Sequence, residues 1–125
     1  MEKKISLFGS FLCAVKGVWK TILSERNFRI QLGVAIIAVT VSIFFRVETV
    51  ELVIIIILCF LVLIIETINT SLEKALNALS PEYNSETGLS KDTMAGAVLL
   101  CSILAVIVGV IILLPYLLNL IRTLQ

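Results

Sequence analysis

Residues 52–79 read LVIIIILCFLVLIIETINTSLEKALNAL. From Leu52 to Ile65 the stretch is apolar without a break; Glu66 then opens a second half in which polar side chains recur among aliphatic ones. A helix needs about 20 mostly apolar residues to cross a hydrocarbon layer about 30 Å thick. The run reaches that length only with its flanks, which carry a carboxylate to the membrane edge. The rest of the chain suits the same solvent. Of its 125 residues, 59% are hydrophobic and 15% charged, against about 45–50% and about 25% in soluble domains. A second apolar run covers residues 28–45, with Arg29 and Gln31 at its start, and a third begins near Met94 and stays apolar through Leu114. Hydrocarbon offers the backbone no hydrogen-bond partner, so such runs must be helical. The expectation is an all-α membrane protein, one domain over residues 1–125, with spans at about 28–45, 50–72 and 92–118.

The basic residues set the orientation. Lys3, Lys4, Lys16, Lys20, Arg26 and Arg29 precede or open the first span, and Lys74 and Lys91 follow the second; Arg46 and Arg122 fall on the other side. The positive-inside rule therefore puts the N-terminus and the loop after the second span in the cytoplasm. Ahead of the first span, Ile5, Phe8, Leu12, Val15, Trp19 and Ile22 recur at three- and four-residue steps, with Lys16 and Lys20 on other faces. That amphipathic pattern predicts a helix over about residues 5–24 lying in the membrane interface. In the loop NALSPEYNSETGLSKD, residues 77–92, Ser80-Pro81 and Gly88 break the helical pattern, and Ser90 is the expected N-cap of the third span.

Several functions are excluded early. A formal net charge of +1 does not make a nucleic-acid surface. Cys13, Cys59 and Cys101 lack CxxC spacing and the chain has no His, which removes zinc chemistry and leaves the thiols as buried small hydrophobes. Neither a P-loop nor a kinase glycine loop is present.

What remains is the polar stripe. At 3.6 residues per turn, Glu66, Asn69, Glu73 and Asn77 share one face, with Thr70 beside them. Intramembrane acids face a bundle interior or a cavity and mark function. The bland alternative for Glu73 is a solvated carboxylate paired with Lys74 or Lys91. Two acids about two turns apart can divide labour. The one nearer hydrocarbon can take a proton from a membrane-dissolved alcohol, and the one nearer water can hold a hard cation such as Mg²⁺. Glu25, in SERNFR just before the first span, stands at the same membrane level. A proton-coupled transporter using Glu66 is the competing class.

ETINTSLEKALN, residues 66–77, resembles the signature of the prokaryotic diacylglycerol kinase and undecaprenol kinase family, small trimeric integral-membrane lipid kinases. Glu66, Ile68, Asn69, Thr70, Ser71, Leu72 and Glu73 match it; Leu76 and Asn77 stand where the family has Val and Asp. SKDTMAGAVLL resembles the family's second motif, a Lys-Asp pair opening the last helix, and ERNFRIQ the region before the first span. Asn84 stands where some members carry His. The resemblance implies a homotrimer in the bacterial cytoplasmic (inner) membrane that phosphorylates undecaprenol or diacylglycerol with ATP and Mg²⁺. It implies Glu66 as general base, Glu25 and Glu73 as metal ligands, and Asn69, Glu82, Lys91 and Asp92 beside them at the nucleotide. Trp19, on the apolar stripe of the interfacial helix, would join Glu66 and Asn69 at the lipid.

Overall fold

A computed structural model describes residues 6–80, 82 and 84–124. Four helices follow in order: α1 (Leu7–Ser24), α2 (Arg26–Phe44), α3 (Thr49–Leu79) and α4 (Ser85–Thr123). Ile5, Lys3, Lys4 and Pro81, used in the sequence reading, lie outside the described residues. All four helices are long and apolar enough to cross a membrane, α1 included. The protein is an all-helical membrane protein.

The breaks between helices have local causes. At Glu25 the backbone turns extended (φ −101°, ψ 116°), separating α1 from α2. The Arg29 guanidinium reaches back across this break and donates to the carbonyls of Ile22 and Leu23, at 3.2 and 2.9 Å. These are C-terminal carbonyls of α1, which have no partner within the helix, and a cation there also suits the helix dipole. At the far end of α2, Val47 N donates to Ser42 O and Arg46 N to Ile43 O, both at 3.1 Å. This Schellman pattern normally closes on glycine; here Arg46 takes the left-handed conformation, with φ 51°. A reciprocal capping box between Glu48 and Glu51 then starts α3. The Tyr116 hydroxyl donates to Glu51 Oε2 at 2.6 Å, tying α4 to the turn.

α4 begins earlier than the expected cap. Asn84 is its N-cap, accepting from Glu86 N at 2.9 Å, so Ser90 lies inside the helix. Gly88 and Ser90 read locally as breakers, yet a capped first turn with Glu86 in place outweighs their modest propensity cost. The cysteine expectation is not met in full at any position: Cys13 is exposed, on an α1 that buries only Thr21, while Cys59 and Cys101 are half-buried.

α3 is the central helix, packed on one side by α2 and on the other by α4, with α1 touching α2 and α3 more lightly. Phe28, Ile55, Val62, Val98 and Ile112 form a thin core along the bundle. Large apolar side chains elsewhere, such as Phe44, Phe60 and Ile111, point outward, at no cost in lipid, which is as apolar as they are. Hydroxyls within the helices fold back on carbonyls four residues earlier. Ser42, fully buried, donates to Ala38 O at 2.7 Å, and Ser102 to Val98 O at 2.9 Å. That is how a hydroxyl is satisfied where water is absent. Between α2 and α4, floored by α3, runs a cleft of about 600 Å³. It extends from Ile30 and Gln31 at one end to Phe45 and Leu117 at the other, and its walls are almost wholly apolar.

Candidate active site

The length of α3 decides where its acids sit. At 1.5 Å per residue, Glu66 lies about 26 Å along the helix from Thr49, and Glu73 about 36 Å. Measured from Thr49, the thickness of a hydrocarbon layer, about 30 Å, falls between the two residues. The side chains behave accordingly. Glu66 is 4% exposed and Thr70, one turn on, 5%. Asn69 is half-buried, and Glu73 and Asn77 are exposed. Position along the helix separates these environments: Glu66 and Thr70 lie where α3 is packed in the bundle, while Glu73, on nearly the same face as Glu66, lies two turns further on and is exposed.

Glu66 meets α2 through Gln31, whose Nε2 donates to Glu66 Oε2 at 3.3 Å. Gln31 lines one end of the apolar cleft, and the carboxylate it holds stands behind it. A hydrophobic groove with an amide at one end, backed by one acid, is a fitting place for an alcohol on a long hydrocarbon chain.

The remaining charges lie on the polar side of that pair. Lys74 Nζ stands 3.1 Å from Glu25 Oε1 and donates to Ser24 Oγ at 3.3 Å. Ser24 Oγ in turn donates to Glu25 Oε1 at 2.8 Å. The Ser24 hydroxyl first, then Lys74, hold the Glu25 carboxyl below its ordinary range. Lys91 Nζ donates to Asn77 Oδ1 at 2.5 Å, joining the end of α3 to the start of α4. Lys74 and Lys91 were both candidates to pair with Glu73; the fold gives them to Glu25 and Asn77 instead. Glu82 and Asp92 are exposed on the same side of the chain, around the α3–α4 connection. Trp19 is 58% exposed on α1.

Among the described residues, no group of three or more Asp, Glu, His or Cys side chains gathers to hold a metal. Mg²⁺ needs less than that, since it binds through one or two carboxylates together with substrate phosphates and waters. Glu25 and Glu73 offer such hard oxygen donors. Lys74, which follows Glu73 in the chain, brings the end of α3 to Glu25. The chemistry of these donors suits that cation.

Two features escaped the sequence reading. Gln31 was visible only as a polar interruption at the start of an apolar run; its contact with Glu66, 35 residues away, is tertiary. The Lys74–Glu25 pair spans 49 positions and carries no local signal.

The family model for prokaryotic diacylglycerol kinase matches residues 12–113. The chain belongs to the prokaryotic diacylglycerol kinase family. This is a family of lipid kinases, and membership sets the transporter reading aside. All candidate residues from Trp19 to Asp92 fall within the matched stretch. A diacylglycerol kinase of Synechocystis is 36% identical over 116 residues, 92% of this chain and 66% of that protein. An undecaprenol kinase of Bacillus subtilis is 29% identical over 108 residues, 86% of this chain and 88% of its own. A diacylglycerol kinase of Escherichia coli is 34% identical over 99 residues, 78% and 80% of the two chains. The chain thus spans just under two thirds of the Synechocystis protein and most of the other two. Diacylglycerol kinase family members carry two substrate names among these relatives, so membership alone leaves the lipid open.

Proposed function

We propose that this chain transfers the γ-phosphoryl group of ATP, with Mg²⁺, to the hydroxyl of undecaprenol or diacylglycerol at the cytoplasmic face of the membrane. The observation that carries this reading is the buried Glu66 held by Gln31, the residue that lines one end of the long apolar cleft. The lipid's chain lies along the cleft between α2 and α4, which brings its hydroxyl to Glu66. Glu66 takes the hydroxyl proton, the freed oxygen attacks the γ-phosphorus, and the bond to the β-phosphate oxygen breaks. ADP and the lipid phosphate leave. Such transfers are accelerated mostly by positioning and charge neutralisation, and the side chains on the polar side supply both. Lys91 meets phosphate charge, with Asn69, Glu82 and Asp92 ordering the nucleotide. Glu25 and Glu73 are the residues that would hold Mg²⁺, which neutralises phosphate charge when bound. Glu25, paired with Lys74 in this structure, would be the ligand on the α1–α2 side of that site.

The same reading treats α1 as an interfacial helix, with Trp19 at the lipid and Lys16 and Lys20 toward the headgroups. Three spans follow, with the N-terminus in the cytoplasm. A homotrimer suits the outward apolar faces of α2, α3 and α4, and lets neighbouring copies complete each site.

The test is purified protein in lipid vesicles with labelled ATP, Mg²⁺ and one lipid alcohol at a time. Label is expected in the phosphate of one alcohol at least; label in neither would contradict the proposal.

A further inference from the structure

Gln31 stands where a membrane helix would ordinarily carry an aliphatic residue. Its amide is only half satisfied: Nε2 donates to Glu66 Oε2, while Oε1 is enclosed by the bundle with no donor among the described residues. A buried carbonyl left unpaired destabilises the fold, and a leucine or methionine there would avoid that cost. An orphaned buried acceptor in a native fold calls for a reason.

The chemistry of Glu66 provides one. An ionised carboxylate only accepts hydrogen bonds, whereas a protonated carboxyl group also donates. A primary amide carries a donor and an acceptor on one planar group, and turning it about its last torsion exchanges them. The contact at 3.3 Å is long, so little is lost in turning it.

We infer that Gln31 is a positioning residue that partners both protonation states of Glu66, an inference resting on the reading of Glu66 as the base. Before transfer, Nε2 holds Glu66 Oε2, which leaves the other carboxylate oxygen to receive the proton. The lipid O–H bond then breaks, its proton goes to Glu66, and its electron pair forms the bond to phosphorus. Glu66 is now a donor; its carboxyl group turns to bring the O–H round to Gln31, whose amide turns so that Oε1 accepts from it. When the lipid phosphate leaves, the proton passes to water and the amide turns back. The unpaired oxygen of the resting state is the partner held for the second half of the cycle.

The test is a double-mutant cycle on the full-length protein in vesicles, comparing wild type, Gln31→Met, Glu66→Gln and the double variant. Gln31→Met is expected to lower kcat about 10- to 100-fold, the size of losing a hydrogen bond to a charged group, with KM for ATP unchanged. In the Glu66→Gln background the same substitution should cost nothing further, since there is no proton to follow. Losses that multiply, or an unchanged kcat in Gln31→Met, would overturn the inference while leaving Glu66 as the base. Near-normal kcat in Glu66→Gln would remove the base assignment and this inference with it. Infrared difference spectra give a readout independent of turnover. The carboxyl band of protonated Glu66, identified by its loss in Glu66→Gln, should shift in Gln31→Met; a band that does not move would contradict the contact. Should Gln31→Met fail to assemble, Gln31→Asn retains the amide but withdraws it by one carbon. It should give the same pattern more weakly, and wild-type kcat with an unmoved band in that variant would overturn the inference.

Discussion

At Glu25 the Ser24 hydroxyl and the Lys74 ammonium converge on one carboxylate. Both favour its charged form, so its pKa in the folded protein lies below that of the unfolded chain. The sign follows: the contribution to stability is fully present above the ordinary carboxylate range and is lost as pH falls through the lowered folded value. Thermal unfolding of wild type should therefore lose stability relative to Glu25→Gln as pH falls below about 4. Parallel curves for the two proteins would show that the contacts have no influence on Glu25. Glu73, exposed and two turns along α3 from Glu66, has a different test. Glu73→Gln should raise the Mg²⁺ concentration needed for half-maximal rate and lower turnover in a protein that still assembles. Full activity at low Mg²⁺ would remove Glu73 from the metal site. Asn77→Asp leaves in place the oxygen that holds Lys91, so KM for ATP should stay within a few-fold of wild type. Loss of ATP binding in a folded Asn77→Asp protein would contradict that role.

Helices were legible wherever hydrocarbon dictated them. The run at residues 28–45 lies in α2 up to its C-cap Phe45, the run at 52–65 within α3 and the third within α4, because hydrocarbon favours this backbone solution for a spanning segment. Their ends were less legible. The α4 start turned on Asn84, a cap whose side chain competes against Gly88 and Ser90 downstream, and local propensity does not reveal which signal wins. Arg46 in the left-handed conformation gave no warning either, since the usual glycine is absent. Removing the α4 cap should matter locally. Asn84→Ala is expected to destabilise the first turn by about 1 kcal/mol, seen as faster amide exchange around residues 86–88. Unchanged exchange there would show that α4 is held by packing alone. The stripe Glu66–Asn69–Glu73–Asn77 was readable from helical spacing; Gln31 and Lys74 were not, because their partners lie on other helices.

Across the whole molecule, the distribution of basic residues and the cleft make separate claims. Cysteines introduced at positions 84 and 48 should label from opposite sides of the membrane, and labelling from one side would overturn the three-span topology. Gly109 lines the cleft, and a side chain added there meets open space within the chain. Gly109→Phe should therefore raise KM for the lipid and spare KM for ATP; an unchanged lipid KM would mean that the chain binds elsewhere. The central claim is that this membrane bundle brings a lipid hydroxyl to a buried carboxylate and ATP to the charges beyond it. It is tested most directly by kcat for lipid phosphorylation in Glu66→Gln, measured beside wild type in the same vesicles with each alcohol. General-base assistance is typically worth about 10²–10⁴-fold. A fall of that order is expected with whichever alcohol wild type uses, with ATP binding retained. A kcat near that of wild type would contradict the claim.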